Sequence, residues 1–240
     1  IYPRNELLKD QFREALANAD RVARGTTSPY RAPVLAALYG DVKESAADVA
    51  HPRYGWRSVG TGAARAHVCP FARCPRPECG ADLVWRDTDR KVGVERLVCS
   101  APGCATSVGS DRVRLTRSSM RQSPADILFT SAEMLSQRFA STSYAPFFGF
   151  DQPPNRRPIM MLLDEVHTYE GASGAQVALL LRRWRYRAQC QPHVVGLSAT
   201  LEDAEGRRRD RRQPRQRHDR QGHTENARED RRHVSPPSLC

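Results

Sequence analysis

An α/β fold built on a parallel sheet is what this 240-residue sequence predicts, on three observations. Four short apolar, β-favouring runs are each closed by a turn or a polar motif. Segments with helical spacing lie between them. One cysteine-rich stretch interrupts the alternation and reads as a small insert.

Taken in order, Glu6 to Ala23 places Leu8, Phe12, Ala15 and Leu16 on one face, the pattern of an amphipathic helix. Pro33 to Tyr39 follows as the first strand, and Ile127 to Phe129, Ile159 to Leu163 and Val194 to Leu197 are the others, read together as strands of a buried parallel sheet. Between the last two, Ala175 to Arg187 carries Val177, Leu180, Leu181 and Trp184 at intervals of three and four, a second helix with its apolar side toward the sheet. Strand and helix in alternation predict a doubly wound layer, which binds its ligands at the carboxyl ends of the strands.

The insert, from about His67 to Arg114, holds five of the seven cysteines. Cys74 and Cys79 enclose four residues, as do Cys99 and Cys104, and nineteen separate the pairs. Tetrahedral Zn²⁺ takes four thiolates from two tight turns, and the Pro and Gly residues of CPRPECG and CSAPGC supply such turns. Leu83 to Trp85 and Leu97 to Val98 then form the short strands of a zinc ribbon with structural zinc, a fold that hardly holds at this size without metal. Cys69 also stands five positions before Cys74, so either it is a spare thiol or it replaces one of the first pair; we favour Cys74 with Cys79 because the two loops then mirror each other. His67 stands beside this set without ligand spacing.

Charge sets limits on partners. Lys+Arg number 38 against 27 acids, net +11, but eleven Arg and five acids fall between Gly206 and Cys240, so that stretch alone carries +6. The basic excess is therefore weak evidence for a nucleic-acid surface on the folded part. Residues 206–240 have no apolar periodicity and read as a disordered Arg-rich tail, either an arm for nucleic acid or sequence with no selected structure, such as the product of a frame slip. No run approaches the ~20 apolar residues of a membrane span. The amino terminus has no leader pattern. Both favour a cytoplasmic protein with no membrane partner, in which cysteines serve as metal ligands or free thiols.

The chemistry concentrates after the third strand. Asp164, Glu165, Val166 and His167 directly follow Ile159 to Leu163, and Ser198, Ala199 and Thr200 follow the last apolar run. Phosphoanhydride hydrolysis needs a held Mg²⁺ and an oriented water. Asp164 suits the metal of an Mg²⁺–ATP complex, Glu165 the water, and His167 a bond toward the Ser198 and Thr200 hydroxyls that couples the two strand ends.

With these motifs the chain resembles the first RecA-like domain of a superfamily 2 DExH (DEAD/DEAH-box) helicase. Tyr2 to Gln11 resembles motif Ia, Asp126 to Leu135 motif Ib, DEVH motif II and SAT motif III. The resemblance implies nucleic-acid contact by Pro3, Arg4 and Asn5 from motif Ia and by Thr130 and Ser131 from motif Ib, with Glu133 opening a helix. The stretch LLDEVHTYEGASGAQVALLLRRW is most similar to the Lhr and MrfA repair group and to helicases of DISARM and Dpd phage-defence islands, with Gly171 and Gly174 easing close approach of the helix. The family's phosphate loop, Gly-x-x-x-x-Gly-Lys followed by Ser or Thr, is nowhere in the chain, and neither is a second RecA-like domain.

The expectation is a partial RecA-like parallel sheet flanked by helices, in two parts at 1–66 and 115–205, with the zinc-ribbon insert at 67–114 and the tail at 206–240. It implies an ATP-dependent helicase acting on DNA or RNA, inactive as this chain alone and completed by the remainder of the helicase. The alternative is a nonenzymatic nucleic-acid-binding zinc-ribbon fragment. Trp56 reads as a packing plug before a base-stacking ring, and LLRRWRYR, Leu180 to Arg187, as a solvated helix face.

Overall fold

The computed structural model of the chain describes residues 1–2, 4–25 and 31–198. Ile1–Leu197 form one compact unit, and of the stretch Ser198–Cys240 only Ser198 is described. Pro3, Thr200 and the expected tail at 206–240 lie outside the described residues.

Helix α1 (Asn5–Arg24) leads to β1 (Leu35–Leu38), a short helix α2 (Ala46–Val49) and a run of strands β2 (Ser58–Val59), β3 (Ala66–Arg73) and β4 (Asp82–Arg86). Helix α3 (Asp87–Lys91), β5 (Arg96–Cys99), β6 (Ser107–Gly109) and β7 (Val113–Arg114) come next. Then follow α4 (Arg117–Gln122), β8 (Ile127–Thr130), α5 (Ala132–Arg138), β9 (Met160–Leu163), α6 (Gly171–Ala188) and β10 (His193–Gly196). Helix α1 forms where its pattern places it: Leu8, Phe12, Leu16 and Ala19 are buried, Glu6 lies in the first turn, and Arg21 and Arg24 in the last, each favoured by the helix dipole.

Three sheets result. Strands β7, β1 and β8 are parallel in that order, β9 and β10 form a parallel pair, and β2 to β6 form an antiparallel meander. Ile1 and Tyr2 join the first two sheets. Tyr2 N–H donates to the Thr130 carbonyl at 3.0 Å and its own carbonyl accepts from Ala132 N–H, while the Ile1 nitrogen donates to Leu162 O at 2.6 Å and the Ile1 carbonyl accepts from Asp164 N–H at 3.0 Å. The chain is thus mixed α/β, with parallel and antiparallel sheets, and among the described residues no helix is long and apolar enough to cross a membrane.

The fully buried parallel sheet expected from the apolar runs needs correction at its far side. Strand β9 alternates in exposure, with Met160 at 54% and Leu162 at 43% and Ile159 just before them at 85%, and β10 has no fully buried residue. Their alternate side chains meet no covering layer among the described residues, whereas the parallel β1 is buried at every position.

Two apolar clusters hold the unit together. In the first, Phe71 of β3 meets Phe12 of α1 edge-on at 5.2 Å and Tyr39 at 6.2 Å, and Trp56, Trp85, Leu97 and Leu115 pack around them. The antiparallel sheet therefore shares its core with α1 and β1. In the second, α5, the turn at Thr142–Phe148 and α6 gather Leu135, Phe139, Phe148, Phe150, Leu180 and Trp184. Trp56 is the packing plug expected, its ring 5.9 Å from Phe71 and its indole N–H bonded to Asp41 O.

Candidate functional site

Asp164 stands at the carboxyl end of β9, where its backbone is fixed on both sides. Its amide bonds Ile1 and its carboxylate Oδ1 accepts from the Glu165 amide at 3.0 Å. The other oxygen, Oδ2, is buried and has no hydrogen-bond partner, and the Tyr169 hydroxyl is likewise buried and unpartnered. Burial first, and then the Asp164 carboxylate, pushes Tyr2 up to about 12 and raises Tyr169, so both phenols stay protonated beside it. The Ile1 ammonium is a charge near this carboxylate, but Oδ2 has no hydrogen-bond donor, and a divalent cation of the Mg²⁺ kind suits such an oxygen.

Glu165 takes the left-handed backbone, φ 51° and ψ 46°, which for a non-glycine residue costs ~1–2 kcal/mol. The turn is secured from below: the Glu165 carbonyl accepts from both the Thr168 amide and hydroxyl at 2.8 Å, and Val166 N–H donates to Leu197 O at 2.9 Å. This bend sets Glu165 Oε2 3.1 Å from His167 Nδ1. Three residues of the sequence motif are thereby brought together at one strand end. Ser198 begins the second unit and Thr200 is outside the described residues.

The motif Ia and Ib residues are adjacent through the Tyr2–Ser131 bridge. Arg4 and Asn5 are exposed at the start of α1, Arg4 as the residue ahead of its first turn. Thr130 and Ser131 are buried instead. The Thr130 hydroxyl donates to Leu38 O at 3.0 Å, and the Ser131 hydroxyl caps α5 by accepting from Met134 N–H at 3.1 Å.

The second constellation is the cysteine cluster. The sulfurs of Cys74, Cys79, Cys99 and Cys104 all lie within 4.8 Å of one another, with Cys74 to Cys104 at 3.8 Å and Cys79 to Cys99 at 3.5 Å. Zn–S bonds of about 2.3 Å in a tetrahedron require sulfurs about 3.8 Å apart, so the four fit a zinc ion. Each pair sits on a tight turn: Gly80 and Gly103 adopt positive φ, Cys79 N–H bonds Arg76 O, and Cys104 N–H bonds Ala101 O. The Ala101 amide also points at Cys99 Sγ, 3.4 Å away. Burial raises Cys99 to about 12 and raises Cys74, whereas the Thr106 hydroxyl and amide favour the Cys104 thiolate and lower it to about 6. Cys69 is outside the cluster, buried against Phe71 and Ala72, where burial pushes it up to about 12; it is the spare thiol.

Two supporting groups had no sequence signal. His67 is buried with Nε2 3.0 Å from Asp87 Oδ1, and Arg90 reaches the same oxygen at 2.9 Å, so one carboxylate ties β3 to α3. Glu95 accepts from Leu115 N–H at 3.0 Å and from the Thr116 hydroxyl at 2.9 Å, tying β5 to the start of α4. A buried His and an isolated Glu announce neither partner from composition or spacing.

Comparison with known proteins gives one partial likeness. Over 83 residues, 33% of this chain, the sequence is 35% identical to the ATP-dependent helicase hrq1 of Schizosaccharomyces pombe, and the matched stretch spans 7% of that protein. No family model matches the chain, and no solved structure matches it. The likeness gives the chain a relation to a helicase over a third of its length.

Proposed function

We propose that this chain is the ATP-binding core portion of an ATP-dependent nucleic-acid helicase or translocase of the superfamily 2 DExH kind. On this reading 1–66 and 115–205 are two parts of a RecA-like domain around a zinc-ribbon insert at 67–114, with an Arg-rich tail at 206–240. The observation that carries it is the buried, unpartnered Oδ2 of Asp164 at a strand end shared with Glu165 and His167. The partial likeness to a helicase supports it.

Mg²⁺ bound with ATP supplies charge to offset the phosphoryl oxygens in the transition state. Asp164 would hold that metal, directly or through a water. Glu165 takes the proton of the attacking water, and His167, 3.1 Å from it, holds that carboxylate. Ser198 and Thr200 are the coupling residues of this reading. Pro3, Arg4 and Asn5 meet the nucleic-acid backbone. The buried hydroxyls of Thr130 and Ser131 shape that edge from beneath. Zinc in the four-cysteine cluster is structural, and the setting is cytoplasmic.

With no phosphate-loop lysine in its 240 residues, the chain alone does not turn over ATP. The uncovered side of β9, at Ile159, Met160 and Leu162, is where the remainder of the helicase packs. The Lhr and MrfA group and the phage-defence helicases are the relatives the motif stretch favours.

ATP turnover in the presence of single-stranded DNA tests the reading. The chain alone is expected to show none, and turnover that disappears in Glu165→Gln would overturn its inactivity. The intact protein is expected to hydrolyse ATP and to lose that activity in Glu165→Gln while still binding ATP; an unchanged rate removes Glu165 from the chemistry. A second reading, a nonenzymatic nucleic-acid-binding zinc ribbon, is favoured by the four-cysteine geometry. Nucleic-acid binding without any ATP binding by the intact protein selects it.

A further inference from the structure

The second half of α6 carries a surface that the acid pair does not use. Leu180, Trp184 and Ala188 turn inward, which leaves Arg182, Arg183 and Arg185 on the outer side with Leu179 at 58% and Tyr186 at 88% exposure. Leu179, Arg182, Arg183, Tyr186, Arg187 and Phe139 line an open cavity of about 430 Å³. Among the described residues, no ion pair joins any of the four arginines of this helix to a carboxylate.

Two of these guanidiniums are already placed. Arg183 lies over the Phe139 ring at 4.6 Å, and Arg187 lies over Phe150 at 4.5 Å while donating to the Phe139 carbonyl. A ligand that meets them pays little further ordering entropy. The helix dipole accounts for cations in the last turn, at Arg185 and Arg187. It does not account for Arg182 and Arg183 one turn earlier, nor for a tyrosine ring almost wholly in water between charges.

We propose that this face of α6 binds single-stranded nucleic acid, with phosphates on Arg182, Arg183 and Arg185 and a base stacked on Tyr186 over the cavity. Guanidiniums spaced along one helix suit a run of phosphates, and an exposed ring beside them suits a base. An acidic protein segment satisfies the arginines but leaves the ring without a planar partner. The face lies about 20 Å along α6 from Gly171, given 1.5 Å of rise per residue, on a different helix from Arg4 and Asn5. The proposal takes its ligand class from the nucleic-acid reading above and adds a second contact region to it.

Fluorescence anisotropy with a labelled oligodeoxythymidylate and the full 240-residue chain, over a salt series, tests it. The Arg-rich stretch 206–240 is present in every form compared, so differences report α6. Arg182→Glu with Arg185→Glu is expected to weaken binding at least ~10-fold and to lower the salt slope by about 1.4, two phosphates' worth for a single strand. Tyr186→Ala is expected to weaken binding ~5-fold with the slope unchanged, and Tyr186→Phe to restore it. All three positions are exposed, and circular dichroism checks that the variants fold. If both sets of variants bind as the unaltered chain does, the proposal fails and the nucleic-acid reading stands. If the unaltered chain binds no oligonucleotide at low salt, both fail. If polyglutamate displaces the oligonucleotide as well as unlabelled oligonucleotide does, the face is a site for acidic protein and the assignment to nucleic acid is overturned.

Discussion

Gly174 packs so closely under Tyr169 that a Cβ there would lie 2.3 Å from the Tyr169 carbonyl oxygen and 2.8 Å from its carbon. The obstacle is backbone, which cannot swing aside as a side chain does. Gly174→Ala is therefore expected to push the Tyr169 loop away from α6 and destabilise the chain by ~1–3 kcal/mol, read from urea denaturation. Because the same loop carries Glu165 and His167, the intact protein should lose ATP turnover together with stability. An Ala variant as stable as the parent would show that the loop gives way freely.

One equivalent of zinc is expected per chain, measured by metal analysis after gel filtration. Cys99→Ser should lose the metal and with it the fold of the β2 to β6 sheet, since a site of this kind contributes folding energy outright. Cys69→Ser should retain a full equivalent, because that thiol lies outside the cluster. Affinity should climb with pH: Cys99 and Cys74 are held protonated by burial and must release their protons to bind.

Asp87 meets two partners at once, the Arg90 guanidinium at 2.9 Å and the buried His67 ring at 3.0 Å. Burial alone raises its carboxyl, but the Arg90 bond and charge, with His67, outweigh that and hold it below its ordinary 3.8. Its folded pKa is depressed, so its contribution is complete above the unfolded value and is lost as pH falls through the folded one. Stability should fall below about pH 4, and Asp87→Ala, which strands Arg90, should cost ~3 kcal/mol at pH 7 and flatten that acid limb. Denaturant midpoints from pH 2 to 7 check both.

Thr116 caps α4 through the Ser119 amide at 3.1 Å and donates its hydroxyl to Glu95. Thr116→Ala should cost ~1–2 kcal/mol by thermal denaturation, and a cycle with Glu95→Gln should return a coupling above ~0.5 kcal/mol. Strict additivity would mean that the cap, and not the tie to β5, sets the loss.

The sequence shows best what depends on local pattern. Leu8, Phe12 and Leu16 mark α1 because a 3.6-residue period is written in neighbouring letters, and Cys74 to Cys104 mark the metal cluster because ligand spacing is as local. What it hides is set by partners far along the chain. Alternation in Met160 and Leu162 cannot be told from a buried run until it is known what covers them. Nor does the sequence show that Phe71 of the cysteine-rich insert packs on Phe12, which makes one core of two stretches that read as separate. The Thr130 and Ser131 hydroxyls look available in a motif and are spent on Leu38 and Met134. Whether a hydroxyl faces inward is decided by the strand beside it.

Ile1 and Tyr2 give the molecule its line of force. Tyr2 bonds Thr130 at the end of β8 and Ala132 at the start of α5, and Ile1 bonds Leu162 of β9 and Asp164 just beyond it, so the Ile1–Tyr2 peptide stands between the two strand ends. Both strand ends are tied to that one peptide, so a shift of one is felt at the other. Four hydrogen bonds hold the two strand ends in step, and shearing them would let each end move alone.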